Sequence, residues 1–326
     1  MLAALTQSGM LNPTRARNRM RVSGGRPTWI LDIPVGMGPS TNFAISPVGI
    51  YSFSLVPSDG TQAGGATRGI GAVDLQLGQR GTSNYGATGT NSFAGPGSGI
   101  ASGMGSVAFS NGSASGVASF AGGGGGGSAN VTSGNSLGWG YGITINSPAN
   151  YSAAFGFAGT LNAAGSFGCG QRFSSTLTGR FFAAGMFAND ADAQLTDLVA
   201  RNATSDATPT NLFLDGVSAR LVIPANTLWK ARVAIGARTN TAGALWATFE
   251  RKLSIWRGVA AGTVVISTPQ TIGTDEGSTA GIPPAGWAIS ITADTTNGAL
   301  DIQVTGALAT NIRWVATITL TEVGYP

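Results

Sequence analysis

The side chains able to do chemistry in this sequence are few, and the gaps among them narrow the choices. There is no histidine and a single cysteine, Cys169, in a Gly-Cys-Gly setting. That removes Ser-His-Asp and Cys-His nucleophiles, histidine metal sites and a histidine pH switch. It also removes an internal disulfide, cysteine metal clusters and a CxxC redox pair. Carboxylates remain. Cleaving a glycosidic bond takes two of them flanking the sugar. No acid lies between Asp74 and Asp190, so that stretch cannot host such a pair alone. Further on, Asp275-Glu276 sit in a Gly/Thr-rich loop, and Asp294 and Asp301 flank a hairpin on its polar side. Acids are mostly exposed, so these four read first as solvated surface groups and only second as a site or cation ligand. No catalytic, cofactor-binding or metal-binding residue is assigned, no cofactor is expected, and the chain is expected not to be an enzyme.

Aromatic side chains are the other binding currency. Trp287 and Trp314 fall in the apolar phase of alternating segments and read as core. Trp229, Trp246 and Trp256 lie on long strands, where core, oligomer interface and partner surface are all open. Trp139 sits among glycines beside Tyr141, where a wide groove would let a sugar stack. Trp139, Tyr141, Trp246 and Trp256 are the candidates for contact with an outside partner. Cys169 has no basic neighbour in sequence and reads as a small interior residue.

Charge is scarce and unevenly placed. Only 10% of the 326 residues are charged, against a typical quarter. The net charge of +4 comes from the stretch before Asp32, which holds Arg15, Arg17, Arg19, Arg21, Arg26 and no acid. The remaining 18 − 5 = 13 bases face 14 acids. The alternate spacing of the first four arginines puts them on one face of an extended chain. Such an arm reads as a solvated tail or as a dock for an acidic protein partner. Nucleic acid is disfavoured, because residues 1–28 contain no aromatic side chain to stack on bases. No apolar run is long enough to span a membrane, and Met1 to Met10 lack the pattern of a secretory signal.

The elements that would position these residues fall into three regions. Up to about residue 60, short strand-like runs, Trp29 to Ile33 and Tyr51 to Leu55, are punctuated by prolines. From about 61 to 190 the chain is glycine-rich, with more than half of its 51 glycines in the stretch 81–190. A flexible linker would not repeat, and this stretch does. Starts of the form Ser-apolar-Ala/Gly recur at Ser92, Ser106, Ser119, Ser136, Ser152 and Ser166, with a related Phe181-Phe182-Ala183. The steps between them are irregular, at 14, 13, 17, 16, 14 and 15 residues, and too short for a helix pair or a propeller blade. Such a period holds two brief strands and two turns, one coil of a β-solenoid. Ala and Ser suit a narrow interior, glycine the turns, and the Phe residues an apolar ladder. The run Gly122 to Gly127 reads as a coil-to-coil loop or insertion. It is not a phosphate loop, since no GxxxxGK[ST] occurs.

From about 191 charge returns and long alternating strands appear. Ile312, Trp314, Ala316, Ile318 and Leu320 point one way; Trp287 to Ala293 and Leu300 to Val304 repeat the scheme around a Thr295-Thr296-Asn297-Gly298 hairpin turn. Further runs cover 210–214, 219–223, 228–238, 244–256 and 262–267. About eight antiparallel strands, each with one buried face, predict a β-sandwich. The class is all-β: an N-terminal β attachment region over 1–60, a Gly/Ala/Ser-rich β-roll over 61–190 and a jelly-roll-like β-sandwich over 191–326.

These residues resemble a known kind of protein. Gly71 to Gln76 leading into the Ser/Gly/Ala repeats is similar to bacteriophage fibre proteins with a short-repeat β-roll, and the repeats resemble the head of trimeric autotransporter adhesins. Ala191 to Gln194, Ala207 to Gly216, Ala219 to Trp229, Asp294 to Leu300 and Ile312 to Ala316 resemble the C-terminal domain of phage fibre and tail proteins. The resemblance implies a homotrimeric virion protein, a tail fibre or spike subunit made in the host cytoplasm. Its C-terminal end would face a host receptor or glycan. By position, the arginine arm would attach it to other virion proteins. A tailspike polysaccharide depolymerase and a capsid-attached head fibre or decoration protein are the alternatives. A bacterial adhesin is disfavoured, because neither a signal sequence nor a C-terminal membrane barrel is read.

Overall fold

The computed structural model describes residues 17–23, 26–32, 53–54, 66–76, 85–97, 99–123, 128–240 and 245–325. The described chain is all-β apart from one short 3-10 turn, Ala261–Thr263. None of its helices is long and apolar enough to cross a membrane.

Its middle is a β-roll. Each coil gives one short strand to each of two parallel sheets. The first sheet stacks Val73–Asp74, Phe93–Ala94, Val107–Ser110, Phe120–Gly123, Leu137–Tyr141, Ala153–Phe157, Phe167–Gln171 and Arg180–Ala184. The second stacks seven two-residue strands, from Gly86–Ala87 to Ser174–Ser175. Strands of the first sheet thus lengthen from two residues to five along the roll.

The repeated serines set this register. Phe93, Val107, Phe120, Leu137, Ala153 and Phe167 pair in sequence, one coil to the next. The seventh start is shifted from the expected one. Phe167 pairs with Arg180, and Gly168 pairs with Phe181. Gly179 therefore holds the place of Ser166, and the last step is shorter than the sequence repeat predicts.

Inward positions are small because the two sheets lie close. Ala94, Ala108, Ala121 and Ala154 line the first sheet, and Ala87, Ala101 and Ala114 the second, all with no exposure. Where the interior carries Val131, Ile143 and Phe173, the first sheet compensates with glycine. A Cβ on Gly138 would stand 2.7 Å from Val131, and one on Gly168 would stand 2.3 Å from the ring of buried Phe173. Volume is conserved across the interior.

Corners are built from backbone. A Cβ on Gly89 or on Gly103 would lie 2.1 Å from the carbonyl oxygen of the next coil, so only glycine fits. Beside this stack runs a column of left-handed residues, including Asn91, Ala118, Asn135 and Tyr151. Each donates its N–H to a carbonyl of the preceding coil at 2.7–3.3 Å, to Ile70, Met104, Val117 and Gly134 respectively. The buried serines tie the same corner: Ser92 Oγ donates to Gly89 O at 2.7 Å and Ser119 Oγ to Gly116 O at 2.6 Å. Ser166 N–H donates to Ser152 Oγ at 3.0 Å. Gly122 and Gly123 belong to a strand, not to a loop; residues 124–127, the rest of that glycine run, lie outside the described residues.

The first sheet does not stop with the roll. Arg180–Ala184 pairs antiparallel with Ala193–Thr204, followed by Ile312–Gly324, Thr227–Thr239 and Trp246–Arg257, giving one 16-stranded sheet. Inward residues of these long strands meet a four-stranded sheet built from Thr210–Asn211, Leu221–Val222, Ala288–Asp294 and Ala299–Thr305. Trp314 is fully buried between Phe249, 6.2 Å away, and Trp287, 5.6 Å away. Both tryptophans read as core are core. The Asn297-Gly298 hairpin forms as its sequence predicts, with Asp294 opposite Ala299. In the N-terminal region, Arg17–Ser23 and Arg26–Asp32 form a two-stranded antiparallel sheet.

Candidate functional site

Alternation along each roll strand sends every second residue outward. On the first sheet most of the outward residues are apolar, and many are aromatic. One column runs Phe93, Val107, Phe120, Leu137, Ala153, Phe167. In the next, Phe109 lies over Gly95 and Trp139 over Gly122, followed by Phe155, Cys169 and Phe182. The rings touch in succession: Phe93–Phe109 at 5.4 Å, Phe109–Phe120 at 5.7 Å and Phe120–Trp139 at 5.9 Å. Tyr141 stacks on Phe157 at 5.0 Å with 10° between planes, and the Arg172 guanidinium covers Phe157 at 5.3 Å. Trp139 is 46% exposed and Phe182 50%.

Cys169 belongs to this outward column, between Phe155 and Phe182, and is half-buried. The expectation of an interior cysteine is therefore corrected. The interior place one residue earlier is Gly168, because Phe173 fills the space there.

The outward face of the second sheet is different. Its repeating positions are Ser102, Ser115, Thr132, Asn146, Asn162 and Thr176, where Asn146 Nδ2 donates to Asn162 Oδ1 at 2.8 Å. One face of the roll is thus apolar and the other is polar and uncharged.

The apolar face continues onto the long strands. Phe182 pairs with Leu195, and farther across Val323 pairs with Leu228 and Leu228 with Trp256. Trp246, at the other end of its strand, is also exposed, whereas Trp229 is buried. Charge returns here in pairs. Arg180 Nη2 meets Asp197 Oδ2 at 2.7 Å, which together with a bond from Thr319 Oγ1 holds that carboxyl below its usual range. Arg232 pairs with Glu250. Asp275 receives both Nη groups of Arg251, at 2.6 and 2.8 Å, and leaves Glu276 exposed beside it.

Two groups of acids lie deeper. Glu322 takes the next inward place after Leu320, a phase the 312–320 alternation foretells once it is carried one step further. Its Oε2 accepts from Trp229 Nε1 at 2.9 Å, and its Oε1 accepts from Gln194 Nε2 at 3.2 Å and from Thr196 Oγ1. Burial pushes its carboxyl above the usual range despite three donors. It lines a cavity of about 160 Å³ with Asp192, Gln194 and Trp229 where roll and long strands meet. Burial alone would raise Asp192 as well, but the N–H groups of Phe187, Ala188 and Asn189, at 2.6–2.8 Å, draw its carboxyl down.

Asp294 and Asp301, which the sequence places on one side of the hairpin, converge on Arg220 at 3.1 and 3.9 Å. Burial and the neighbouring Asp294 charge raise Asp301, against the pull of Arg220. Burial would raise Asp294 too, but Asn297, Arg220 and Thr296 draw it below its usual range. One carboxyl that keeps its proton longer thus stands beside one that stays ionised, a division of the kind acid–base chemistry uses. Among the described residues no cluster of three acid or cysteine side chains has metal-site spacing.

Of the predicted attachment residues, Arg17, Arg19 and Arg21 occupy alternate places of the strand Arg17–Ser23 and Arg26 begins its partner. Arg15 lies outside the described residues. Trp139 and Tyr141 stand together on the aromatic face, but Trp246 and Trp256 lie near opposite ends of one strand on a different part of the sheet. Phe109, Phe155 and Phe157 are missing from the candidates that the sequence suggests. Adding the step from Ser136 to Ser152 to the positions of Trp139 and Tyr141 gives Phe155 and Phe157 directly.

No family model and no curated protein matches the sequence. Among solved structures the chain is similar to the tailspike protein of Acinetobacter baumannii phage AM24, at 11% identity and a TM-score of 0.26, over 84% of this chain and 52% of that one. It is also similar to a tailspike from A. baumannii bacteriophage Fri1, at 10% identity and a TM-score of 0.25, over 89% of this chain and 49% of that one. The chain spans about half the length of these proteins. The second is described as a capsular polysaccharide depolymerase. Against that finding the expectation of a non-enzyme is withdrawn. The structural neighbours of this chain are phage tailspike proteins.

Proposed function

We propose that this chain is a subunit of a phage tail spike or fibre. It would assemble as a homotrimer, attach to the particle through its arginine-bearing N-terminal region and turn its C-terminal unit toward glycans of the host surface. The observation that carries this reading is the single sheet running unbroken from the short coils of the roll into the long strands. Such a sheet makes an elongated body with a spacing segment and an end. Repeated shallow contacts, multiplied by the copies in an assembly, give avidity without one deep pocket.

Antibodies against residues 1–60 and against the C-terminal strands, imaged on intact particles, test it. Tail labelling with the C-terminal epitope outermost is expected, and free protein should block adsorption to the host. Label at a capsid vertex would instead favour a head fibre, and no label on particles would end the proposal.

A second reading, cleavage of the glycan, is favoured by the oppositely shifted pair Asp294 and Asp301 beside Arg220. Protein incubated with host polysaccharide should then release new reducing ends, and Asp301→Asn should abolish the release. No release by the unaltered protein would remove this reading and leave the first intact.

A further inference from the structure

Among the described residues, none covers the aromatic face of the roll. From Phe93 to Phe182 it presents ring after ring, with Trp139, Tyr141, Phe155, Phe167 and Phe182 each at least 40% exposed. Water-exposed apolar patches of this extent mark contact surfaces. The polar outward face of the second sheet, built on the same coils, shows that the roll itself does not require such residues. From the aromatic face we infer that a second copy of this chain covers it, packed parallel so that each coil meets the same coil of its partner.

Charge selects that occupant. No acid lies between Asp74 and Asp190, and no lysine lies in that stretch. Arg172 is already placed over Phe157 and against Asp190, 3.4 Å away. Arg80 lies outside the described residues; among the described ones a charged partner would find no counter-charge on these coils beyond Arg172 and Arg180, each already beside a carboxylate, and would lose hydration without compensation. A surface as apolar and as neutral as the face itself meets no such cost, and another copy carries one. Orientation follows from what lies next along the same sheet. Charge resumes there with the ion pairs Arg180–Asp197 and Arg232–Glu250, beside outward Lys230. Antiparallel copies would lay this charged end over bare rings. Parallel copies keep rings on rings, with the ion pairs beyond them.

The inference deepens the proposed assembly by naming its contact face, and its test separates the two. Light scattering on the full chain should give a multiple of 32.6 kDa. The double variant Trp139→Ser/Phe155→Ser should shift at least tenfold in concentration toward the monomer, whereas Ser115→Ala on the polar face should not. Cys169 is the only cysteine and lies in the aromatic column, so it reports register in the unaltered protein. A short bismaleimide should join Cys169 to Cys169 and give a two-chain species in denaturing gels.

A native mass of one chain overturns the inference, as does an assembly that the double variant leaves unchanged. An assembly with no Cys169 crosslink overturns same-coil packing without any variant that risks misfolding. A monomer whose Trp139 emission responds to host oligosaccharide assigns the face to a glycan and also overturns it. Particle labelling by an assembly that the double variant leaves unchanged sinks this inference alone. An assembled protein that never labels particles sinks the proposed function alone.

Discussion

The inward side chains of the roll's first sheet are Ala94, Ala108, Ala121, Gly138, Ala154 and Gly168, whereas the adjoining long strands bury Leu198, Trp229, Val233, Ile235, Trp314 and Ile318. One hydrogen-bonded sheet carries both. A buried tryptophan removes about 150–250 Å² from water, about 4–6 kcal/mol at about 25 cal/mol per Å². An alanine removes far less. The long strands are held by side chains, and the roll by backbone ladders and by corners where the chain lies against itself. Damage should therefore take opposite forms in the two regions: emptiness in one, crowding in the other.

Truncation at the centre of the C-terminal core should be the costliest change. Trp314→Ala would leave a cavity between Phe249 and Trp287 and lose about 3–5 kcal/mol, read as a lower denaturant midpoint. In the roll, adding a single carbon should do comparable harm. Gly103→Ala would place Cβ 2.1 Å from the Gly116 carbonyl oxygen, at a cost of about 1–3 kcal/mol. Hydrogen exchange should locate that loss in coils 89–119 and not in the long strands. If Gly103→Ala melts both regions equally, or Trp314→Ala neither, the contrast is wrong.

The junction between the regions should respond to pH. Glu322 keeps its proton to higher pH in the folded chain than in the unfolded one, where its reference value is 4.5. Above that value the folded state binds more protons, so the contribution is full below the unfolded value and is lost as pH rises from there through the folded value. Asp301 shifts the same way. Glu322→Gln should therefore flatten part of the slope in midpoint against pH, and an unchanged slope would show that the junction does not titrate.

The serine column gives the smallest and finest test. Ser119→Ala removes a buried bond to Gly116 O and should cost about 1 kcal/mol. Among the described residues Ser106 Oγ is buried without a hydrogen-bond partner, so Ser106→Ala should be neutral or stabilising. Equal losses in thermal melts would mean the column is only a spacer.

The roll is legible because its geometry is written in residue type. A serine at the corner and an alanine or glycine two places on recur from Ser92 to Gly168. The repeat misleads at Phe181, where an aromatic matches the aromatics of earlier starts. It is an inward residue opposite Gly168, and outward Phe167 pairs with Arg180. The strand Ala193–Thr204 does not announce itself, because its first inward residues, Gln194 and Thr196, are polar. They face Glu322, and a polar inward phase looks in sequence like no phase at all. The aromatic face is hidden for a related reason. Its members stand a whole coil apart in sequence and become neighbours only once the coils are stacked.

The widening of the roll's first sheet has a mechanical side. Hydrogen bonds between parallel coils run along the roll's axis, so a pull on the N-terminal end would load them directly. Two residues grip at Val73–Asp74, five at Arg180–Ala184 and twelve where Ala193–Thr204 meets Ile312–Gly324. Under tension the coils would give way in order from the N-terminal end, each release lengthening the tether and shedding force. The long-strand unit would be the last part to feel a load able to break it.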